Sequence, residues 1–373
     1  MRLTFVIFSL DCGGAERVMS SMANYWIAKG WNVTLLTLSN EPSFYVLHPH
    51  VNHIQLNLAK ESTNLVTGLV NNIRRVQVLR KAIGDSHPEV VISFIDKVNI
   101  LTLLATQGLN IPVIVSERTN PALHRIGIIW ERLRQWIYPK ADRIVVQTPE
   151  ALDYFTPEIQ TLISIIPNFV KVPGQGRCIA GNHHNYRSII AMGSFLGVKG
   201  FDLLLQSFAG VKDHHPDWNL TILGDGPLRR ELESLRDSLG LASRVTLPGR
   251  VKNPHKWLQQ ADLFVMSSRY EGFPNALCEA MACGLPVIAT DCPSGPRAII
   301  RDGIDGILVP TENVSELTSS MDRLMSNNQE RRCLAERAPE VLERFSLEKI
   351  MTMWENLLIQ VLKGKLPQET LKL

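Results

Sequence analysis

Short, unbroken apolar runs recur along the chain, and longer stretches with apolar residues at helical spacing lie between them. In the first half the runs fall at 4–9, 33–38, 90–94, 113–116 and 144–147, and they are rich in Val and Ile. They are continuous rather than alternating, the pattern of strands buried on both faces of a parallel sheet. Residues 16–29 and the stretch around 76–83 read as helices between them, which makes a βαβ rhythm. A polar stretch at 172–187, with Pro173, Asn182, His183, His184 and Asn185, interrupts the pattern and reads as a linker. The rhythm restarts with runs at 188–192, 220–223, 245–247, 263–266 and 287–289. A last helical pattern, 347–362, follows Ser346 as a plausible N-cap. The expectation is an α/β chain of two Rossmann-like domains, 1–171 and 188–373, joined by the linker, with the last helix free to pack back on the first domain. Ligands of such folds lie at the carboxyl ends of the strands, so two facing halves predict an interdomain cleft.

Composition narrows the class. A length of 373 residues suits about two domains. With 45% hydrophobic and 20% charged residues the chain is foldable rather than disordered. A formal net charge of +3 is too mild to imply a nucleic-acid partner, but leaves room for a local basic patch facing phosphate or anionic lipid. Two stretches fit such a patch. Residues 125–140 carry Ile126, Ile129, Leu133 and Trp136 at helical spacing among Arg125, Arg132, Arg134 and Lys140. Arg74, Arg75, Arg80 and Lys81 make a second basic cluster. Segment 125–140 fits a helix lying on a membrane surface, or a core-facing helix with a solvated basic side.

No apolar run reaches about 18 residues, so no transmembrane helix is expected. Arg2 followed by apolar residues to Leu10 resembles the start of a signal peptide, with Cys12 as a lipidation candidate. That stretch is short and runs directly into Gly13 and Gly14, so a first core strand is the better reading. The expected location is cytoplasmic, with peripheral attachment to the inner face of the cytoplasmic membrane as an option. The six cysteines, Cys12, Cys178, Cys278, Cys283, Cys292 and Cys333, form no CxxC pair and read mostly as buried thiols.

The densest chemistry lies between Ser268 and Val287. A strand ends at Ser268, a loop of Gly272, Phe273 and Pro274 follows, and a helix starts near Asn275 and Ala276. Backbone N–H groups at that start suit a diphosphate. Glu271 precedes the helix and Glu279 lies just over one turn inside it. Carboxylates beside phosphate are better matched to hydroxyl groups, one to a sugar and one to a ribose. Spacing alone leaves equal room for two glutamates with no such role. No Asp-x-Asp occurs in the sequence, so no metal is expected in a diphosphate site. His48, His50 and His53 sit together in an apparent loop, with metal binding the lesser reading.

Glu271 and Glu279, within EGFPNALCEAMACGLPVIATD, resemble the Glu-x7-Glu signature of retaining glycosyltransferases of the GT-B fold, family 4-like. Gly13 to Arg17, Ile166 to Asn168, Gly193 to Asp202, Leu223 to Pro227, Leu247 to Val251 and Asp302 to Pro310 agree with that family in order and spacing. The likeness covers nearly the whole chain and is nearest to enzymes that extend polyprenyl-diphosphate-linked oligosaccharides or surface polysaccharides with hexose or N-acetylhexosamine.

The resemblance implies a UDP-sugar donor held without a further cofactor, and a saccharide acceptor on a membrane-held lipid. It implies that Lys199 neutralises donor diphosphate, Glu271 binds donor-sugar hydroxyls, and Glu279 binds the ribose. Ser194, Gly224 and the Gly272–Ala276 loop complete the donor side, with the base held by the backbone of Gly249, Arg250 and Val251. Gly13, Gly14, Arg17, Glu117 and Arg118 fall on the acceptor side. Two departures stand out. Ser194 occupies a position where many relatives carry arginine, and Arg118 stands where some carry histidine, so no catalytic base is assigned. A sugar-nucleotide epimerase of the same fold and a non-catalytic partner subunit remain as alternatives. A nicotinamide dehydrogenase is disfavoured because Arg229 takes the place of the third glycine of GxGxxG.

Overall fold

The computed structural model describes residues 1–59, 65–170 and 187–365; the expected linker lies outside them except for Arg187. The chain forms two compact units, one of Met1–Asn168 together with the chain from Ile350 onward, the other of Phe169–Lys349.

The sheet of the first unit has seven strands, all parallel: β1 Arg2–Ile7, β2 Asn32–Thr37, β3 Asn52–Gln55, β4 Val90–Phe94, β5 Val113–Ser116, β6 Arg143–Val146 and β7 Ile163–Ile165. Their order is β3-β2-β1-β4-β5-β6-β7. Val91, Val115 and Ile144 of its central strands are fully out of water, and such burial contributes roughly 1.5–3 kcal/mol per side chain. The second sheet has six: β8 Arg187–Met192, β9 Trp218–Leu223, β10 Val245–Gly249, β11 Leu263–Met266, β12 Val287–Thr290 and β13 Ile307–Val309, in the order β10-β9-β8-β11-β12-β13. Each apolar run read from the sequence lands on one of these strands, with some ends moved by one or two residues.

Three strands match no run read from the sequence: β3, β7 and β13. All three are sheet edges. An edge strand has one neighbour and less burial, so it needs less hydrophobic sequence. β3 is only Asn52-His53-Ile54-Gln55, and it corrects the reading of His53 as a loop residue. His53 pairs with the Thr37 hydroxyl at 3.1 Å, and burial lowers its pKa.

The C-terminal helix, Leu347–Lys365, starts where expected: the Ser346 hydroxyl accepts from the Lys349 N–H at 3.2 Å. Beyond Ile350 it belongs to the first unit. Trp354 is buried with its ring 6.2 Å from Phe94, and Glu355 accepts from Lys29 Nζ at 2.7 Å and Trp26 Nε1 at 3.3 Å. Among the described residues no helix is long and apolar enough to cross a membrane.

In both sheets the strand order reverses once. The reversal lies between β1 and β4 in the first unit and between β8 and β11 in the second. Such a switch point opens a crevice beyond the carboxyl ends of the two strands, where ligands of doubly wound sheets bind.

Candidate active site

At the switch point of the second unit, the chain leaves β8 through Gly193, Ser194 and Phe195. Phe195 is fully buried, its N–H donating to the Asp225 carbonyl at 3.0 Å, while Ser194 stays exposed. A single turn, Gly197–Lys199, then leads into the helix Phe201–Val211. Gly200 makes this entry possible: its φ is +60°, and a Cβ there would lie 2.1 Å from the Ser267 carbonyl oxygen. The Ser267 hydroxyl donates to the Lys199 carbonyl at 3.0 Å, locking the turn to the end of β11.

The other wall follows β11. Ser267 and Ser268 are buried, and Glu271 stands in the loop before the helix Asn275–Ala282. Lys199 Nζ donates to Glu271 Oε1 at 2.6 Å, and the Ser268 hydroxyl donates to the same oxygen at 2.6 Å. The Glu271 carbonyl accepts from the Ser294 hydroxyl, and the Thr290 hydroxyl donates to the Ser268 carbonyl. The loop is therefore held from β12 as well as β11. Burial and the Glu271 charge push the nearby Cys292 thiol up to about 12, so it stays a thiol at neutral pH. Cys292, Cys278 and Cys283 are buried as expected; Cys12 and Cys333 are exposed, and Cys178 lies outside the described residues.

Phe273 is buried with its ring 5.4 Å from Phe345, and Glu279 is buried inside the helix. Pro274 packs on Gly295, whose φ is +96° and where a Cβ would lie 2.6 Å from the proline Cδ. The two glutamates thus sit on one loop–helix unit, with an ammonium already against the first.

Gly224 and Gly249 extend this wall. Gly224 N–H donates to the Gly249 carbonyl at 3.0 Å, and a Cβ on Gly224 would lie 1.8 Å from the Gly193 carbonyl oxygen. Arg250 is exposed and Val251 half-buried beside Gly249.

Two arginines in the site were not expected to hold it. Arg229, seen in the sequence only as the residue that breaks GxGxxG, bonds Asp225 (2.8 Å), Glu233 (3.0 Å) and the Gly224 carbonyl (3.2 Å). Arg269 makes a two-point contact with Asp202 (2.9 and 2.7 Å) and reaches the Gly197 carbonyl at 2.6 Å. It ties the Lys199 turn to the Glu271 loop. The available signal was its place between the end of β11 at Met266 and Glu271, but its partners are 67 and 72 residues away.

The residues expected on the acceptor side lie at the carboxyl ends of β1 and β5 in the first unit. Gly13 caps the helix Gly14–Ala28 in an extended conformation. A Cβ there would meet only the end of the Glu16 side chain, at 2.0 Å from Oε2. Arg17 is half-buried in the first turn. Glu117 and Arg118 follow β5 and part company. Glu117 turns inward, accepting from the Tyr138 hydroxyl at 2.5 Å and from Arg134 at 3.4 Å. Burial pushes its pKa up to about 7 against the opposing pull of Arg134 and Tyr138. Arg118 sets its guanidinium carbon 3.5 Å from the centre of the Phe94 ring and donates through Nη1 to Asn168 at 2.9 Å.

Two doubly wound parallel sheets, with charged and hydroxyl side chains collected at a switch point, define the GT-B class of glycosyltransferase. Residues 12–172 match the family Glycosyltransferase Family 4, and residues 179–341 match Glycosyl transferases group 1. The chain belongs to these glycosyltransferases and is a transferase enzyme. It is 27% identical over 365 residues, 97% of its length and 99% of the relative's, to the GalNAc-alpha-(1->4)-GalNAc-alpha-(1->3)-diNAcBac-PP-undecaprenol alpha-1,4-N-acetyl-D-galactosaminyltransferase of Campylobacter jejuni. Its fold is similar to sucrose-phosphate synthase of Thermosynechococcus elongatus (TM-score 0.84, 19% identity, 98% of this chain and 100% of that one). It is also similar to Anabaena Alr3699/HepE, solved in complex with UDP-glucose (TM-score 0.74, 17% identity, 96% and 99%).

Proposed function

We propose that the chain is a retaining glycosyltransferase that moves a hexose or N-acetylhexosamine from a UDP-sugar to a polyprenyl-linked saccharide, in glycan or surface-polysaccharide biosynthesis. The observation that carries the reading is the cluster of Lys199, Ser268 and Glu271 at the carboxyl ends of β8 and β11. An ammonium and a carboxylate in contact match a ligand whose phosphate and sugar are adjacent: Lys199 meets the diphosphate and Glu271 the sugar hydroxyls. Glu279 takes the ribose, the start of the Asn275–Ala282 helix supplies N–H groups to the diphosphate, and the backbone at Gly249, Arg250 and Val251 holds the base. The relative that acts on a PP-undecaprenol saccharide supports the acceptor class, and the neighbour solved with UDP-glucose supports the donor class.

The acceptor's lipid calls for a membrane surface. Ile128, Ile129 and Trp136 of the helix Ile128–Ile137 are exposed beside the exposed Arg125, Arg132 and Lys140. Leu69, Val70 and Ile73 are exposed on the helix Leu65–Asp85, which also carries exposed Arg74, Arg80 and Lys81. Apolar and cationic side chains together suit an anionic leaflet, which supports the reading of a peripheral enzyme.

The test is a panel of UDP-sugars incubated with polyprenyl-linked acceptors and read by mass spectrometry. The expected product is an acceptor heavier by one sugar, with the anomeric configuration of the donor kept. Conversion of a UDP-sugar without any acceptor would show an epimerase instead, and no turnover of any donor would show a non-catalytic subunit.

A further inference from the structure

Arg118 has more donors than its neighbours use. Its Nη1 is spent on Asn168 at 2.9 Å. Nε and Nη2 are both out of water and have no hydrogen-bond partner among the described residues. These two N–H groups point along the same edge of the planar guanidinium, the edge that accepts an oxyanion side-on through two parallel bonds. The plane itself is fixed. Phe94, at the end of β4, lies 3.5 Å beneath it, and Asn168 follows β7. With its amide oriented to satisfy both atoms, Gln147 after β6 donates to the Arg118 carbonyl at 3.1 Å and accepts from Asn168 at 2.8 Å. Residues at the ends of three further strands of one sheet thus hold a charged fork whose Nε–Nη2 edge is left unpaired among the described residues. Burial brings the Arg118 pKa down to about 9, with the Glu16 charge opposing.

Glu16 is the acid whose charge reaches that fork, yet it makes no bond to it. Its carboxyl folds back over Gly13 at the start of the fifteen-residue helix Gly14–Ala28 and accepts its own backbone N–H. Burial raises its pKa. That carboxylate stands at a helix N-terminus, where an anion is favoured, and within electrostatic reach of Arg118.

We infer that the unpaired Nε–Nη2 edge of Arg118 receives an oxyanion of the acceptor, a phosphate or a carboxylate, against the opposing charge of the Glu16 carboxyl. This rests on the reading of the chain as a transferase to a lipid-linked saccharide. Such an acceptor offers two sources of the same chemistry, the phosphates that join saccharide to lipid and the carboxylate of an acidic sugar. Arg118 is then a specificity-determining residue: it grips a part of the acceptor that does not react and sets where the reacting hydroxyl lies.

The test is calorimetry on the full chain with UDP saturating, so that the phosphate contacts of the second unit are filled, titrating inorganic pyrophosphate in one arm and glucuronate in the other. The wild type is expected to bind at least one of them. Binding of pyrophosphate assigns the fork to an acceptor phosphate, and binding of glucuronate alone assigns it to an acidic sugar. Arg118→Gln should weaken the bound anion by about tenfold or more, Arg118→Lys should fall between it and wild type because an ammonium lacks the fork, and Glu16→Gln should tighten it. The affinity for UDP should be the same in all four proteins. The inference is overturned if the wild type binds neither anion, or if both Arg118 variants bind as the wild type does. Should Arg118→Gln not fold, Arg118→Lys and Glu16→Gln decide between the same outcomes. Failure of the transferase reading shows separately, as absence of UDP binding by the wild type.

Discussion

Lys199 and Glu271 are 72 residues apart in the chain and 2.6 Å apart in space. Each neutralises the other before any ligand arrives, and Ser268 steadies the shared oxygen. The pair therefore sets what each substitution should do. Glu271→Gln keeps the shape but loses the charge proposed to position the sugar, so transfer should fall on the order of a hundredfold, the size of one lost transition-state contact. UDP lacks the donor hexose that Glu271 is proposed to touch, so its affinity should change little, whereas Glu279→Gln, at the proposed ribose contact, should weaken UDP itself. Steady-state rates with parallel calorimetry check both; equal loss of UDP binding in the two variants would defeat the assignment. Lys199→Ala should cost UDP roughly 1.5–3 kcal/mol, the worth of a charged hydrogen bond, while near-unchanged thermal unfolding shows the fold is kept.

Glu117 gives a second residue-scale expectation. Its folded pKa is raised by burial to about 7 from the ordinary value of 4.5. The folded state therefore holds its proton more tightly than the unfolded one. The contribution to stability is full below about pH 4.5 and is lost as pH rises through about 7. Urea unfolding of wild type and Glu117→Gln across that window should show the wild type losing stability relative to the variant. A constant difference would mean that Glu117 does not titrate there.

At the scale of elements, the helix Ile128–Ile137 is the instructive case. Helical spacing groups Ile126, Ile129, Leu133 and Trp136, and either a core-facing or a membrane-facing stripe fits that grouping. The structure splits the group: Ile126 is buried before the helix begins, while Ile129 and Trp136 are exposed. Arg134, expected on a solvated basic side, is 1% exposed and bonded to Glu117, Glu131 and Tyr154. A buried guanidinium with three partners holds this face of the helix inward, because breaking a buried pair costs about 3–5 kcal/mol. The helix therefore turns with Arg134 inward, Leu133 against the core, and Ile129 and Trp136 outward. Ile129→Ser with Trp136→Ser should lower binding to vesicles containing anionic lipid several-fold, read by co-sedimentation, with little change in thermal unfolding. Unchanged sedimentation would remove this helix from the membrane contact.

At the scale of the whole molecule, two switch points carry two kinds of group. The second unit gathers Lys199, Ser268 and Glu271, and the first gathers Glu16, Arg118 and Asn168. Donor phosphate charge is met in the proposal by an ammonium and by helix N–H groups. Transfer should consequently persist in excess EDTA, measured as product formed per enzyme. Its complete loss, restored by magnesium or manganese, would contradict this.

The sequence by itself determined the two βαβ halves, because central parallel strands must be apolar on both faces and so announce themselves as unbroken Val- and Ile-rich runs. It also determined the loop that carries Glu271, since the residues proposed to meet the donor there lie within a short, contiguous stretch. The edges β3, β7 and β13 were decided only in three dimensions, where one neighbour and partial burial suffice. So were the contacts between loops: Lys199 on Glu271, Arg269 on Asp202, the inward turn of Arg134 and the open edge of Arg118. Periodicity reports which face of an element is apolar, but a charged side chain finds its partner across the ends of different strands, and only the packed sheet fixes that distance.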